Sequence, residues 1–347
     1  MPAAPDSTAT RASVGLSAVI ISVDETTPRL LLVERPDRSY GLPFTHLDDS
    51  VDRTLEKGVR RLVSTETGLP VGYFEQLYTF GDRGRAPGGR ELAVAYLALA
   101  RYQAVHGPSN PNWLSCYELF PWEDWRSGRP AMIDEVILPV LDQWLAVSGP
   151  SELPTRRERA ELTFGYGHAR WDPVRVLDRY ELAYELGIVA EAEAPALGAG
   201  VAGSSGPSGR AAGPWRAASS RPAGPAQPHG IRGGRALGRP LALDHRRIAA
   251  AALERLRGKL AYRPVVFEVL PETFTLSRLQ QVVEALAGQV LHKQNFRRLV
   301  ASANLVEPTG EWDQRTGGRP AELYRFRREV LRERPAPGLG LRRLGGP

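Results

Sequence analysis

Residues 276–328 read LSRLQQVVEALAGQVLHKQNFRRLVASANLVEPTGEWDQRTGGRPAELYRFRR, and this stretch decides the fold of the second half of the chain. Leu276, Leu279, Val282, Val283 and Leu286 recur at three- and four-residue spacing, which predicts a helix over Leu276–Ala287 with one apolar face. Gly288 marks its end. A second helical pattern over 292–304 turns Phe296, Leu299 and Val300 inward and leaves Lys293, Gln294, Arg297, Arg298 and Ala301 outward. Beyond Leu305 the residues alternate around a Gly-Gly-Arg-Pro turn, as in a β-hairpin. Helix, short break, helix, hairpin is the order of a winged helix-turn-helix.

A helix that enters the major groove needs hydrogen-bond donors on its outer side and apolar anchors on its inner side. Arg and Lys suit guanine edges and Gln or Asn suits adenine, so Lys293, Gln294, Asn295 and Arg297 are candidate base readers. Arg298 and the wing residues Arg315, Thr316 and Arg319 are candidate phosphate contacts. The plainer alternatives are a solvated charged face or a winged helix that meets a protein. A second basic cluster in the hairpin (Arg315, Arg319, Arg325, Arg327, Arg328) favours double-stranded DNA. Upstream, Ile248, Ala251, Ala252, Leu256 and Leu260 predict a helix over His245–Leu260, and 265–270 reads as a short strand or a buried extended run.

The net charge of +6 over 347 residues is unevenly placed. Residues 1–193 hold 20 basic and 28 acidic side chains, 194–235 hold five Arg and no acid, and 236–347 hold 20 basic against 11 acidic. An acidic front and a basic back imply different partners, the back meeting a polyanion. Arg outnumbers Lys heavily, a bias that GC-rich codon usage also produces. Cys116 is the only cysteine, which excludes an internal disulfide and a Cys-built zinc site and fits a reducing cytoplasm. No run reaches the roughly 18 apolar residues of a membrane span, and 14–23 is read as a strand rather than a signal sequence.

The front half orders itself as strands at 14–23 and 30–34, a helix at 53–67 ending at Gly68, and strands at 73–80 and 92–99 separated by a Gly/Arg/Pro loop. That is a mixed α/β domain. Helical runs follow at 132–147 and 173–192, the second belonging to an insertion or connecting subdomain. Residues 195–240 are Gly, Ala, Ser and Pro with scattered Arg, too poor in apolar side chains to offset the entropy of ordering. The expected organisation is a loose tail over 1–13, an α/β domain over 14–150, a helical insertion over 151–194, a flexible linker over 195–240, the winged helix over 241–330 and a loose tail over 331–347.

Arg61, Val63, Glu66 and Gly68-Leu69 resemble the end of the Nudix box, G-x5-E-x7-R-E-U-x-E-E-x-G-U, in which U is aliphatic. The other positions depart from it: Leu62 and Thr65 replace glutamates, and the opening Gly and early Glu fall on Leu47 and Arg53. The box carboxylates of working Nudix hydrolases converge on Mg²⁺ or Mn²⁺, and a hard divalent ion needs several oxygen ligands. One glutamate is too few, so a degenerate Nudix domain with no metal and no catalytic residues is expected. The alternative is an active hydrolase cleaving a nucleoside diphosphate derivative such as ADP-ribose with Mg²⁺, drawing substitute ligands from His46, Asp48 and Asp49.

The two halves together resemble the Nudix-related transcriptional regulators, the NrtR-like family. The likeness rests on FEQLYTFGD (74–82), VAYLAL (94–99), LDH (243–245), LERLRGKL (253–260), NFRR (295–298) and TGGRPA (316–321), and covers about 14–100 and 241–330. The stretch 113–240 exceeds what a compact member would carry. The resemblance implies a Nudix-like α/β domain (mixed sheet with helices) plus a C-terminal winged helix-turn-helix. It further implies a homodimeric, cytoplasmic repressor of NAD-metabolism genes whose front half senses ADP-ribose or a related nucleotide. Arg83, Arg85 and Arg90 are candidate diphosphate contacts and Glu66 and Asp82 candidate ribose contacts.

Overall fold

The computed structural model describes residues 12–82, 85, 90–192, 236–314, 320–333 and 338–339. Strand β1 (Ser13–Asp24) is the centre of a seven-stranded mixed sheet. A turn with Glu25 at φ 46° returns the chain antiparallel as β2 (Thr27–Glu34). On the other side of β1 runs β6 (Glu91–Leu99), parallel from Ser13↔Glu91 to Ile21↔Leu99, and β5 (Tyr73–Phe80) pairs antiparallel with β6. Short strands complete the sheet: β3 (Tyr40–Gly41) and β7 (Asn112–Ser115) lie on β2, and β4 (Phe44–His46) lies on β1. Both faces of this sheet are covered, which is why β1 is buried at every position from Gly15 to Val23 instead of at alternate ones.

Helix α1 (Leu55–Thr67) covers one face, packing Val59, Leu62 and Val63 onto Leu16, Ala18 and Ile20 of β1 and Val94 and Ala98 of β6. It begins where the Thr54 hydroxyl accepts the Lys57 N–H at 3.2 Å and ends at Gly68, φ 65°, a conformation that favours glycine. The start lies two residues after the predicted one, because the cap places Arg53 outside the helix.

The opposite face carries Val19, Ile21, Val23, Ala95, Leu97 and Leu99, and here the structure departs from the predicted layout. Helices α2 (Cys116–Leu119), α3 (Leu138–Ala146), α4 (Leu153–Phe164) and α5 (Val176–Glu185) share one continuous core with this face and with α6 (His245–Leu260). Residues 151–192 are therefore not a separate insertion but part of the body that joins the two halves. Helix α6 is buried at every position from Ile248 to Leu253 and touches β1, β5, β6 and α5. The stretch Ile248–Leu253, apolar all round, belongs in an interior, and the charged residues fall on either side of it. It abuts α5, where Glu254 accepts the Leu177 N–H at 3.0 Å and burial raises its carboxyl to about 7.

The remaining elements are α7 (Leu276–Ala287), α8 (Lys293–Ala303) and a three-stranded sheet in the order β8 (Thr273–Thr275), β10 (Ala321–Phe326), β9 (Val306–Asp313). This is a winged helix with α6 as its first helix. The strand or extended run expected at 265–270 is instead a short 3-10 turn, Val265–Glu268, with Val266 and Leu270 fully buried. A brief apolar run fits either a buried strand or a buried turn, and periodicity alone does not separate them. The tails at 1–11 and 340–347 and the segment 193–235 lie outside the described residues. Two limits of the expected layout do change: Leu237 donates its N–H to Ile188 O at 2.9 Å, so 236–240 is docked rather than linker, and Leu339, in the expected loose tail, is buried.

Candidate functional site

Helix α8 presents the face its sequence promised. Phe296 and Val300 are buried and Leu299 is half-buried, while Lys293, Gln294, Asn295, Arg297 and Arg298 are exposed. The helix starts after His292, whose side chain makes no cap, and ends at Asn304 with φ 50°. The turn before it is braced from α7: the Glu284 carboxylate accepts the Leu291 N–H at 2.8 Å, and Gln280 donates to Leu291 O at 2.8 Å and to Glu284 at 2.9 Å. Asn295 accepts from Arg298 at 3.2 Å. Among the described residues no carboxylate pairs with Lys293, Arg297 or Arg298, so their charge is free for an external anion.

The hairpin is less free than its composition suggested. Arg325 is paired with Glu307 at 2.7 Å and Arg327 with Glu333, whereas Arg328 is exposed. Two of the five arginines of the second basic cluster are thus paired with carboxylates. The expected phosphate contacts Arg315, Thr316 and Arg319 lie outside the described residues.

In the front half, the box arginine Arg61 meets a carboxylate that spacing alone had passed over. Its Nε and Nη2 donate to the two oxygens of Asp52 at 2.9 and 2.7 Å, and Asp52 also accepts the Asp48 N–H at 3.1 Å. These bonds from Arg61 hold the Asp52 carboxyl below its ordinary range. The strict pattern places Arg53 at this point, one residue on, so the carboxylate was hidden by a shift of one. Leu62 is buried in the core, Thr65 is exposed, and Glu66 is half-buried with Oε2 lacking a hydrogen-bond partner. The loop after β6 presses on the end of α1, where a Cβ on Gly107 would sit 1.8 Å from Glu66 O. Among the described residues no three His, Cys, Asp or Glu side chains gather so as to hold one metal ion. Of the box positions Leu62, Thr65 and Glu66, only Glu66 carries a carboxylate.

Two proposed nucleotide contacts have other employment. Arg85 is buried, with its side chain only 1% exposed, and bonds Glu91 and, at 2.9 Å, Asp244 at the start of α6. Asp82 meets Arg247 of α6 at 2.7 Å, and Arg247 also holds Glu181 at 2.6 Å. Both side chains tie the sheet to the winged helix, and a Gly-rich loop with arginines reads the same in sequence whether it wraps a phosphate or a neighbouring helix. Arg90 is exposed and Arg83 lies outside the described residues. Further ties run from Glu75 on β5 to Arg255 at 3.0 Å and Lys259 at 2.8 Å. The most enclosed is His245: its Nδ1 accepts the Leu42 N–H at 3.0 Å, and burial, with the charges of Arg85 and Arg35, pushes the imidazole down to about 3.

Comparison with known proteins agrees with this geometry. Residues 266–326 match the family model for the NrtR DNA-binding winged helix domain. The ADPR responsive transcriptional repressor NtrR of Acinetobacter baylyi is 38% identical over 86 residues, which are 25% of this chain and 34% of that protein. The chain thus matches about a third of the length of this curated relative. Among solved structures, Shewanella oneidensis NrtR complexed with a 27mer DNA is 22% identical, with a TM-score of 0.51 over 91% of this chain and 94% of that one. The NUDIX domain of the same NrtR, complexed with ADP ribose, is 28% identical over 33% of this chain and 78% of that one, with a TM-score of 0.30. The long likeness fits the packing described above, in which α3 to α5 are part of the body.

Proposed function

Taking an NrtR-like architecture as the premise, a Nudix-type α/β layer fused to an NrtR winged helix, we propose that this chain is a DNA-binding transcriptional repressor of NAD-metabolism genes that releases its operator when ADP-ribose or a related nucleotide binds the front half. One observation carries the reading: α8 is anchored by Phe296 and Val300 and turns outward Lys293, Gln294, Asn295, Arg297 and Arg298, whose cations have no carboxylate partner among the described residues. Donors of this kind on the leading turns of a helix suit base edges and phosphates together. The names of the relatives, an ADPR responsive repressor and a regulator crystallised with DNA and with ADP ribose, support the pairing of operator and effector.

The chain acts as a homodimer in this proposal, so that two winged helices meet two half-sites, and in the cytoplasm. No helix among the described residues is long and apolar enough to cross a membrane. The effector acts by favouring an arrangement of the two winged helices that no longer matches the half-site spacing, which requires that it bind the two arrangements unequally. Glu66, Asp82, Arg83, Arg85 and Arg90 stand as the candidate nucleotide contacts, with Asp82 bonded to Arg247 and Arg85 to Asp244 and Glu91.

Fluorescence anisotropy on DNA upstream of its own gene neighbourhood, with and without ADP-ribose, tests the reading. Operator-specific binding that ADP-ribose relieves is expected. Binding that does not prefer any upstream segment over random DNA overturns it. Release of AMP from ADP-ribose with Mg²⁺, abolished by Glu66→Gln, would establish the hydrolase instead.

A further inference from the structure

The last turn of α7 is held by α6 of the winged helix itself and by two donors from outside the winged helix. The final carbonyls of any helix lack partners within it. Here three are met: the Tyr117 hydroxyl donates to Ala285 O at 2.5 Å and the Trp125 N–H to Gly288 O at 2.8 Å from outside the winged helix, and Arg257 Nε of α6 donates to Leu286 O at 3.1 Å. Tyr117 belongs to α2 and Arg257 to α6. Arg257 is itself fixed. Glu123, fully buried, accepts from Arg257 Nη1 at 2.5 Å and from Arg179 Nε and Nη2 at 2.5 and 3.0 Å, and Glu123 O accepts from Arg257 Nη2 at 3.1 Å.

The approach at this point is close. Gly288 has φ 71°, and a Cβ there would lie 2.3 Å from Glu123 O. The other end of α7 is held too, where Arg278 donates to Glu25 O at the tip of the β1–β2 turn. The next carbonyl, Thr26 O, accepts from Arg126, whose guanidinium lies 5.1 Å from the centre of the Tyr117 ring. Both ends of α7 are therefore referenced to the front half. Only Gln289, Val290, Leu291 and His292 follow Gly288 before α8, and that turn is braced by Glu284 and Gln280 of α7. Where the end of α7 goes, the start of α8 must follow.

We propose that Tyr117 and Arg257, which lie away from the DNA-facing surface, are positioning residues for sequence recognition: they fix the last turn of α7 and thereby aim Lys293, Gln294 and Arg297 at base edges. The inference rests on the DNA-binding reading above. A hydrogen bond to a base edge is lost within a few tenths of an ångström, whereas attraction to phosphates tolerates displacement. Loosening the hold therefore lowers operator affinity and spares binding to random DNA.

The test uses the full chain and Tyr117→Phe, which removes a single hydroxyl. Affinity for the operator and for random duplex of equal length is read by anisotropy across a salt series, alongside ADP-ribose affinity and thermal stability. The expected result is a fall of about tenfold in operator affinity with random-duplex affinity unchanged. The salt slope should be retained, since no phosphate contact is removed, and ADP-ribose affinity should be unaltered. Amide exchange across 290–294 in the DNA-free protein should quicken. Arg278→Ala should narrow the operator-to-random ratio in the same direction. A ratio that stays at the wild-type value in Tyr117→Phe, whether or not stability falls, overturns the proposal. A wild-type chain with no operator preference overturns the DNA-binding reading and this inference with it.

Discussion

Replacing His245 with Asn should remove a specific part of the acid sensitivity of this fold. The imidazole is wholly buried between β3 and the start of α6, accepts the Leu42 N–H, and is held near a pKa of 3 by burial and by the charges of Arg85 and Arg35. In the unfolded chain it takes up a proton near pH 6.5. A base whose folded value is depressed favours unfolding once the pH falls below its unfolded value, because only the unfolded state then binds the proton. Between pH 7 and pH 5 this linkage amounts to about 2 kcal/mol of lost stability, and pH 5 is far enough above the folded value that the figure depends on the unfolded titration alone. Glu254 works in the opposite direction. Its folded value, raised to about 7 by burial, makes the folded state the better proton acceptor as the pH falls from 7 towards the carboxylate range. The total curve of the wild-type chain therefore conceals both effects, and the difference between wild type and His245→Asn isolates one. The Asn carbonyl can still accept from Leu42. Urea denaturation at pH 7, 6 and 5 should show the wild type losing about 2 kcal/mol relative to the variant over this span. Parallel curves would refute a neutral, buried His245.

Other outcomes follow from the same packing. Glu254→Gln should remove the opposing contribution, so that the variant loses more stability than wild type between pH 7 and pH 5 in the same urea series. Glu123→Gln leaves Arg179 and Arg257 buried with one carboxylate charge fewer and should cost about 3–5 kcal/mol, read as a lowered denaturation midpoint. Arg297→Ala should weaken operator binding, and if the side chain meets a phosphate it should reduce the log–log salt slope by about one. Gly288→Ala, with φ 71° and no room for a Cβ, should destabilise the fold by roughly 1–3 kcal/mol in thermal unfolding.

The winged helix was legible because its signals are local. Leu279, Val282, Val283 and Leu286 mark one face of α7, Gly288 stops it, and Phe296 and Val300 fix which side of α8 faces out. The degenerate box was legible for the same reason, since Arg61, Glu66 and Gly68 sit within one helix and its cap. The joint between the halves was not. Arg85, Arg179, Arg246 and Arg257 are buried, against the habit of the residue type, and each is tolerated only because a carboxylate far along the chain meets it. Such partners leave no periodic trace. Asp52 escaped notice through a displacement of one position, and the helices at 151–192 resembled an insertion because their partners are the sheet and α6, both distant in sequence.

Helix α6 carries Ala249, Ala250, Ala251 and Ala252 in succession, all buried, with Leu253 and Leu256 beside them. Side chains that small let a helix lie close on several neighbours at once, and they serve no purpose without those neighbours. A chain severed between 192 and 236 would leave the DNA-reading half with a first helix shaped to a sheet no longer beside it. The sheet layer and the winged helix share one packing surface, so a bulkier side chain on the face of the sheet that meets α6 must be matched by a smaller one in α6.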